Sequence, residues 1–116
     1  MHYIRIALYT FEPDIVDEVI QRAKAGMLPI FHAQPGFVAY TVIKTGETSV
    51  ISLSVWESRV QAEEANQVAA KWVRENIAGM VETEEAHVGE VAFSSDTALP
   101  TGGMIAIRQF FGHFHP

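Results

Sequence analysis

The side chains with the most chemical promise in this chain are aromatic and hydroxylic. They are Tyr9, Tyr40, Trp56 and Trp72, the serines Ser52 and Ser54, and one histidine, His32. Gathered around one pocket, the rings would cage a small phenolic molecule, with Trp56 and Tyr40 as walls. Such a molecule can itself lose a proton. As an imidazole, His32 suits the role of base, while the serine hydroxyls would donate hydrogen bonds to the anion. A plainer alternative stands beside each assignment. Tyrosine and tryptophan are ordinary core residues when their polar ends find partners. His32, near a helix end and beside Gln34, also fits a surface or capping position.

Other chemistries have less to draw on. His113 and His115 are two apart and would point the same way on a strand, as metal ligands can. Their remaining ligands would have to come from elsewhere, such as His2 or His87. A solvated terminus is the plainer reading, and no metal is expected. With no cysteine, disulfides, thiolate metal sites and a cysteine nucleophile are excluded. No phosphate-cradling glycine loop, nucleophile elbow or zinc motif is present. A net charge of −6 offers no basic patch to nucleic acid. No apolar run approaches the roughly 20 residues that span a bilayer, and the N-terminus lacks an export signal. The expectation is a soluble cytoplasmic protein, with neither nucleic acid nor membrane as partner.

The elements that must position these residues centre on 34–58, QPGFVAYTVIKTGETSVISLSVWES. Two alternating runs, 37–44 and 49–56, flank a Thr-Gly-Glu-Thr turn and read as a hairpin. Phe37, Ala39, Thr41 and Ile43 share one face of the first, opposite Val38, Tyr40, Val42 and Lys44. In the second, Ile51, Leu53 and Val55 oppose Val50, Ser52, Ser54 and Trp56. The latter face, small hydroxyls ending in an indole, leaves room beside a sheet and is the first hint of a pocket. Upstream, 3–11 alternates as a strand that is apolar on one side and aromatic on the other, and so is expected to be covered on both.

Pro13 opens a helical pattern with Asp14, Asp17 and Glu18 in its first turns; Gly26 and Pro29 predict a kink near 25–28. Ser58 is a good N-cap for a second helix over 59–81, its inward stripe being Ala62, Ala65, Ala69, Trp72, Val73, Asn76 and Met80. The acidic run 82–85 reads as a solvated linker, 87–93 as a fourth strand, 94–103 as a loop, and 104–111 as a fifth strand or an arm lying on a partner subunit or on its own sheet. At 116 residues the chain is one domain, and a domain this short often places surplus apolar surface in a subunit interface. The order βαββαβ is the ferredoxin-like split βαβ, an α+β fold with an antiparallel sheet and both helices on one face.

Gln34-Pro35-Gly36-Phe37 leading into the second strand, and Val55-Trp56-Glu57-Ser58 closing the third, carry a resemblance. Over residues 3–94 the sequence resembles the dimeric α+β barrel proteins, most nearly the antibiotic biosynthesis monooxygenase family. The resemblance implies a homodimeric α/β barrel built from residues 1–94, with 95–116 as a C-terminal extension. It also implies cofactor-free oxygenation of a small aromatic or polyketide-like substrate, with Trp56 matching the strand-three tryptophan of those oxygenases. Ser52 or Ser54 stands where they carry a polar partner, without their asparagine. Haem degradation is not expected, since strand one has no asparagine and helix two no histidine. A small-ligand binder or accessory protein of the same superfamily is the other reading.

Overall fold

A computed structural model describes residues 2–95 of the chain. The expectations placed on 96–116, including the 104–111 segment, His113 and His115, lie outside the described residues. Strand β1 (Tyr3–Phe11) leads into α1 (Val16–Arg22), a π-helical turn (Ala23–Met27) and α2 (Leu28–His32). The hairpin β2 (Phe37–Lys44) and β3 (Ser49–Trp56) follows, then α3 (Arg59–Asn76), a short 3-10 turn (Ala78–Met80) and β4 (Val81–Glu90). The four strands form one antiparallel sheet in the order β2-β3-β1-β4. This is the split βαβ arrangement that the element order predicts.

Alternation decides which way the sheet faces. Arg5, Ala7, Tyr9 and Phe11 are buried under the helices, and so are Val50, Ser52, Ser54 and Trp56. Ala62, Ala65 and Ala69 are buried along α3, and their small side chains let the helix sit close on the strands. Ser58 caps α3 as expected, its hydroxyl accepting from the Gln61 amide at 3.2 Å. The opposite sheet face consists of cross-strand rows: Ile4 beside Val55, Ile6 beside Leu53, and Leu8 beside Ile51, continued on β2 by Ala39, Thr41 and Ile43. No helix of the described residues lies on it.

Several boundaries depart from the sequence reading, each for a local reason. Pro13 does not open the first helix; it sits in a turn with Asp14, whose φ of 75° is a left-handed conformation that aspartate tolerates, and α1 starts at Val16. The expected kink takes the form of the π turn, which widens the helix just before Pro29, where the missing N–H would otherwise break the ladder. A bulge between Phe37 and Ala39 lets Phe37 pair with Trp56 and turns its ring to the helix side, away from Ala39. Asn76 is exposed rather than inward, its amide donating to the Trp72 carbonyl at 2.9 Å. The acidic run belongs to β4 and is not a linker. β4 is an edge strand, and Glu82, Glu84 and Glu85 are exposed along it, a placement that edges accept readily. Phe93, expected to end that strand, is 89% exposed beyond it.

Candidate functional site

The helices do not seal perfectly onto the sheet. A cavity of about 40 Å³ lies between β1, β2 and β3 on one side and α1, the π turn and α3 on the other. Tyr9, Tyr40, Ser52 and Trp72 all line it, each delivered by the inward face of its own element. The remaining wall is mostly aliphatic, with Val19, Ile20 and Met27 from the first helical segment. No histidine and no carboxylate lines the cavity among the described residues.

Arg5 is the polar residue that sequence reasoning passed over. It is 1% exposed and lines the same cavity. Its Nε donates to Asn66 Oδ1 on α3 at 2.9 Å, and Nη2 donates to the Tyr9 hydroxyl at 3.1 Å. The signal was there: strand alternation puts Arg5 on the face of Ala7, Tyr9 and Phe11, although arginine is seldom found inside. Burial pushes the Tyr9 phenol up from its ordinary pKa; Arg5 pulls against that, and Glu84 adds to it. Burial likewise raises Tyr40, opposed by the Ser52 hydroxyl and by Arg5. Both tyrosines therefore stand protonated at neutral pH and serve as donors rather than bases.

The other three candidates lie elsewhere. Trp56 and Ser54 are completely buried and satisfy each other, the indole Nε1 donating to Ser54 Oγ at 2.8 Å. Phe31 stands edge-on to Trp56 at 5.4 Å and to Tyr40 at 5.0 Å, so Trp56 backs the cavity wall through Phe31 without lining the space. His32 is exposed at the end of α2 with its ring 5.5 Å from that of Phe37. His87, weighed above as a metal ligand, pairs with Glu85 at 3.4 Å on the opposite side of the sheet, level with Ile6 and Leu8. No three histidine, aspartate or glutamate side chains converge among the described residues.

The π turn closes the cavity against Trp72. A side chain at Gly26 would put its Cβ 2.8 Å from the indole Nε1 and 3.1 Å from the ring. Trp72 is bulky and nearly buried, so Gly26→Val is expected to cost about 1–3 kcal/mol through overpacking. Urea unfolding followed by tryptophan fluorescence measures this; unchanged stability would mean that the indole yields freely. On the other side, a groove of about 180 Å³ between Lys24, Leu28 and the edge of β2 shares Ile20, Tyr40 and Val42 with the cavity. The ties holding α1 beside this groove are superficial: Lys44 to Asp17 at 2.9 Å, and Arg22 to the Asn76 carbonyl at 3.2 Å. An exposed pair of this kind contributes at most about 1 kcal/mol.

A four-stranded antiparallel sheet with its helices on one face, enclosing a polar-tipped cavity, defines an α+β protein of ferredoxin-like architecture. More particularly, the chain belongs to the antibiotic biosynthesis monooxygenase family, whose model matches residues 2–70. Among solved structures it is similar to Rv0793 from Mycobacterium tuberculosis, at 14% identity and a TM-score of 0.66, covering 82% of this chain and 99% of that one. It is also similar to SnoaB, a cofactor-independent oxygenase from Streptomyces nogalater, at 16% identity and TM-score 0.66, covering 81% and 96%. A third is the monooxygenase from the gene ActVA-Orf6 of Streptomyces coelicolor, in complex with nanaomycin D, at 16% identity and TM-score 0.61, covering 79% and 92%. At these identities the likeness is one of fold. No curated protein matches the chain. No helix among the described residues is long and apolar enough to cross a membrane.

Proposed function

We propose that this protein is a homodimeric, cofactor-free oxygenase-like enzyme that takes a small aromatic or polyketide-like substrate into the cavity between sheet and helices. The observation that carries this reading is the convergence of Tyr9, Tyr40, Ser52 and Trp72 on one space whose walls hold donors and no base. A site of that kind suits a substrate acidic enough to give up its proton to water, and its anion is the species that reduces dioxygen. For an activated methylene the balance closes without a reductant. One oxygen atom becomes the new carbonyl, and the other leaves as water with the two methylene hydrogens. SnoaB, described as a cofactor-independent oxygenase, supports the class of reaction. The donors hold the developing anion, and His32, outside the cavity, takes no part.

At about 40 Å³ the cavity holds only water-sized occupants, whereas ligand sites usually run to several hundred. Substrate entry therefore requires α1 and the π turn to shift on the sheet, with the groove shared with Ile20 and Tyr40 as the route. The same small volume favours a second reading, a non-catalytic small-ligand binder or accessory protein of the superfamily. Oxygen uptake with a panel of anthrones and quinols separates the two. The expected result is consumption of one dioxygen per substrate, at a rate reduced about a hundredfold in Tyr40→Phe and in Ser52→Ala, a typical order for a lost oxyanion donor. A raised melting temperature with no uptake would establish binding instead.

The proposed dimer rests on the second sheet face. Its rows of Ile, Leu and Val run across three strands with no described element covering them, and Leu8 and Ile43 are 38% and 40% exposed. A flat apolar surface of this breadth is most simply shielded by the same surface of a second copy.

A further inference from the structure

We propose that Arg5 is the counter-ion for an acidic oxygen on the ligand of this cavity, so that the site takes enols or phenols as their anions. The inference rests on the cavity being the ligand site and adds the charge state of what it holds. A guanidinium cannot shed its proton in a protein, so Arg5 brings a permanent positive charge to a position that is 1% exposed. A buried cation is costly to desolvate unless an opposite charge and hydrogen-bond acceptors complete it. Its protein partners are both neutral, Asn66 Oδ1 and the Tyr9 hydroxyl. None of the ion pairs among the described residues includes Arg5. The carboxylate of Glu84 acts on the Tyr9 hydroxyl from the exposed edge strand and does not pair with the guanidinium.

Two of the five guanidinium N–H groups are therefore occupied. Neither of these two bonds uses Nη1, and the guanidinium lines the cavity beside Tyr9, Tyr40 and Ser52. A purely structural arginine, tying α3 to β1 through Asn66, accounts for Nε but not for a cation presented to the cavity. An ionised ligand oxygen there would take a further guanidinium N–H of Arg5 and the hydroxyl of Tyr40, the Tyr9 proton being directed to Glu84. Charge-assisted hydrogen bonds of this sort are about twice as strong as neutral ones.

The test compares two probes of nearly equal shape binding to the full chain. One is the hydroxynaphthoquinone lawsone, an acidic enol ionised at neutral pH; the other is its methyl ether, which carries no charge. Wild type is expected to bind lawsone at least about tenfold more tightly than the ether, the usual worth of a hydrogen bond to a charged group. Arg5→Met should erase that preference while changing affinity for the ether by less than about threefold, and Arg5→Lys should restore part of it. A measurement on wild type alone guards against a misfolded variant. Lowering the pH through the enol's ionisation should abolish the preference, with Tyr9 and Tyr40 protonated throughout and Glu84 facing Tyr9 from the neighbouring strand. Equal binding of both quinones by wild type, or an undiminished preference in folded Arg5→Met, overturns the counter-ion and leaves the ligand site standing. Binding of neither quinone overturns both.

Discussion

Trp56→Ala is expected to lower the stability of the fold by about 3–5 kcal/mol, the usual cost of emptying a buried aromatic site. A small domain has only about 5–15 kcal/mol in all, so much of the protein should be unfolded at modest urea. The reason is where the indole lies. It is completely buried, stands edge-on to Phe31 and Phe37, and donates its only N–H to Ser54. Removing it leaves a void in the aromatic layer and an unpartnered buried hydroxyl. Trp56→Phe keeps most of the packing and should recover more than half of the loss. Urea unfolding of the three proteins decides the matter. If Trp56→Ala keeps wild-type stability, the residue is a site wall that solvent or ligand can replace, and the packing role assigned to it is wrong.

The second large effect concerns assembly. Leu53 sits in the middle of the uncovered sheet face, with Ile6 beside it on β1 and Thr41 on β2. Leu53→Glu would place a carboxylate at the centre of the proposed interface, where desolvating an unpaired charge costs several kcal/mol. Dimer affinity should fall at least about a hundredfold, since every 1.4 kcal/mol is a factor of ten. In the separated subunit the new side chain faces water, so the fold itself should survive. Sedimentation of wild type and variant over a range of concentrations reads this directly. A wild type that stays monomeric, or a variant that dimerises as well as wild type, overturns the face-to-face pair.

Much of the architecture was legible because period-two alternation is strong in β1, β2 and β3, and their bounds follow from it. The same alternation brought Tyr9, Tyr40 and Ser52 to the helix side, and helical spacing brought Trp72 to meet them. What periodicity supplies is a direction, not a depth. It could not tell that Trp56 and Ser54 would close on each other one layer away from the cavity, or that His32 would end α2 in solvent. Nor could it foresee the bulge at Phe37 and Ala39, because one extra residue in a strand leaves the composition unchanged. β4 was missed where its sequence is most acidic, since carboxylates on an edge strand look like those of a loop. Arg5 escaped for the opposite reason: a charged residue is assumed to point outward unless its neighbours on the same face are weighed first.

The carboxylates along β4 have a consequence for how copies of this molecule can add to one another. Bringing two such borders side by side would set Glu82, Glu84 and Glu85 of one chain against those of another, so like charges repel along this edge of the sheet. Pairing of β4 with β4 of another copy is thereby discouraged, which leaves β2 as the edge without such a barrier. Acid strong enough to neutralise those groups would remove the safeguard.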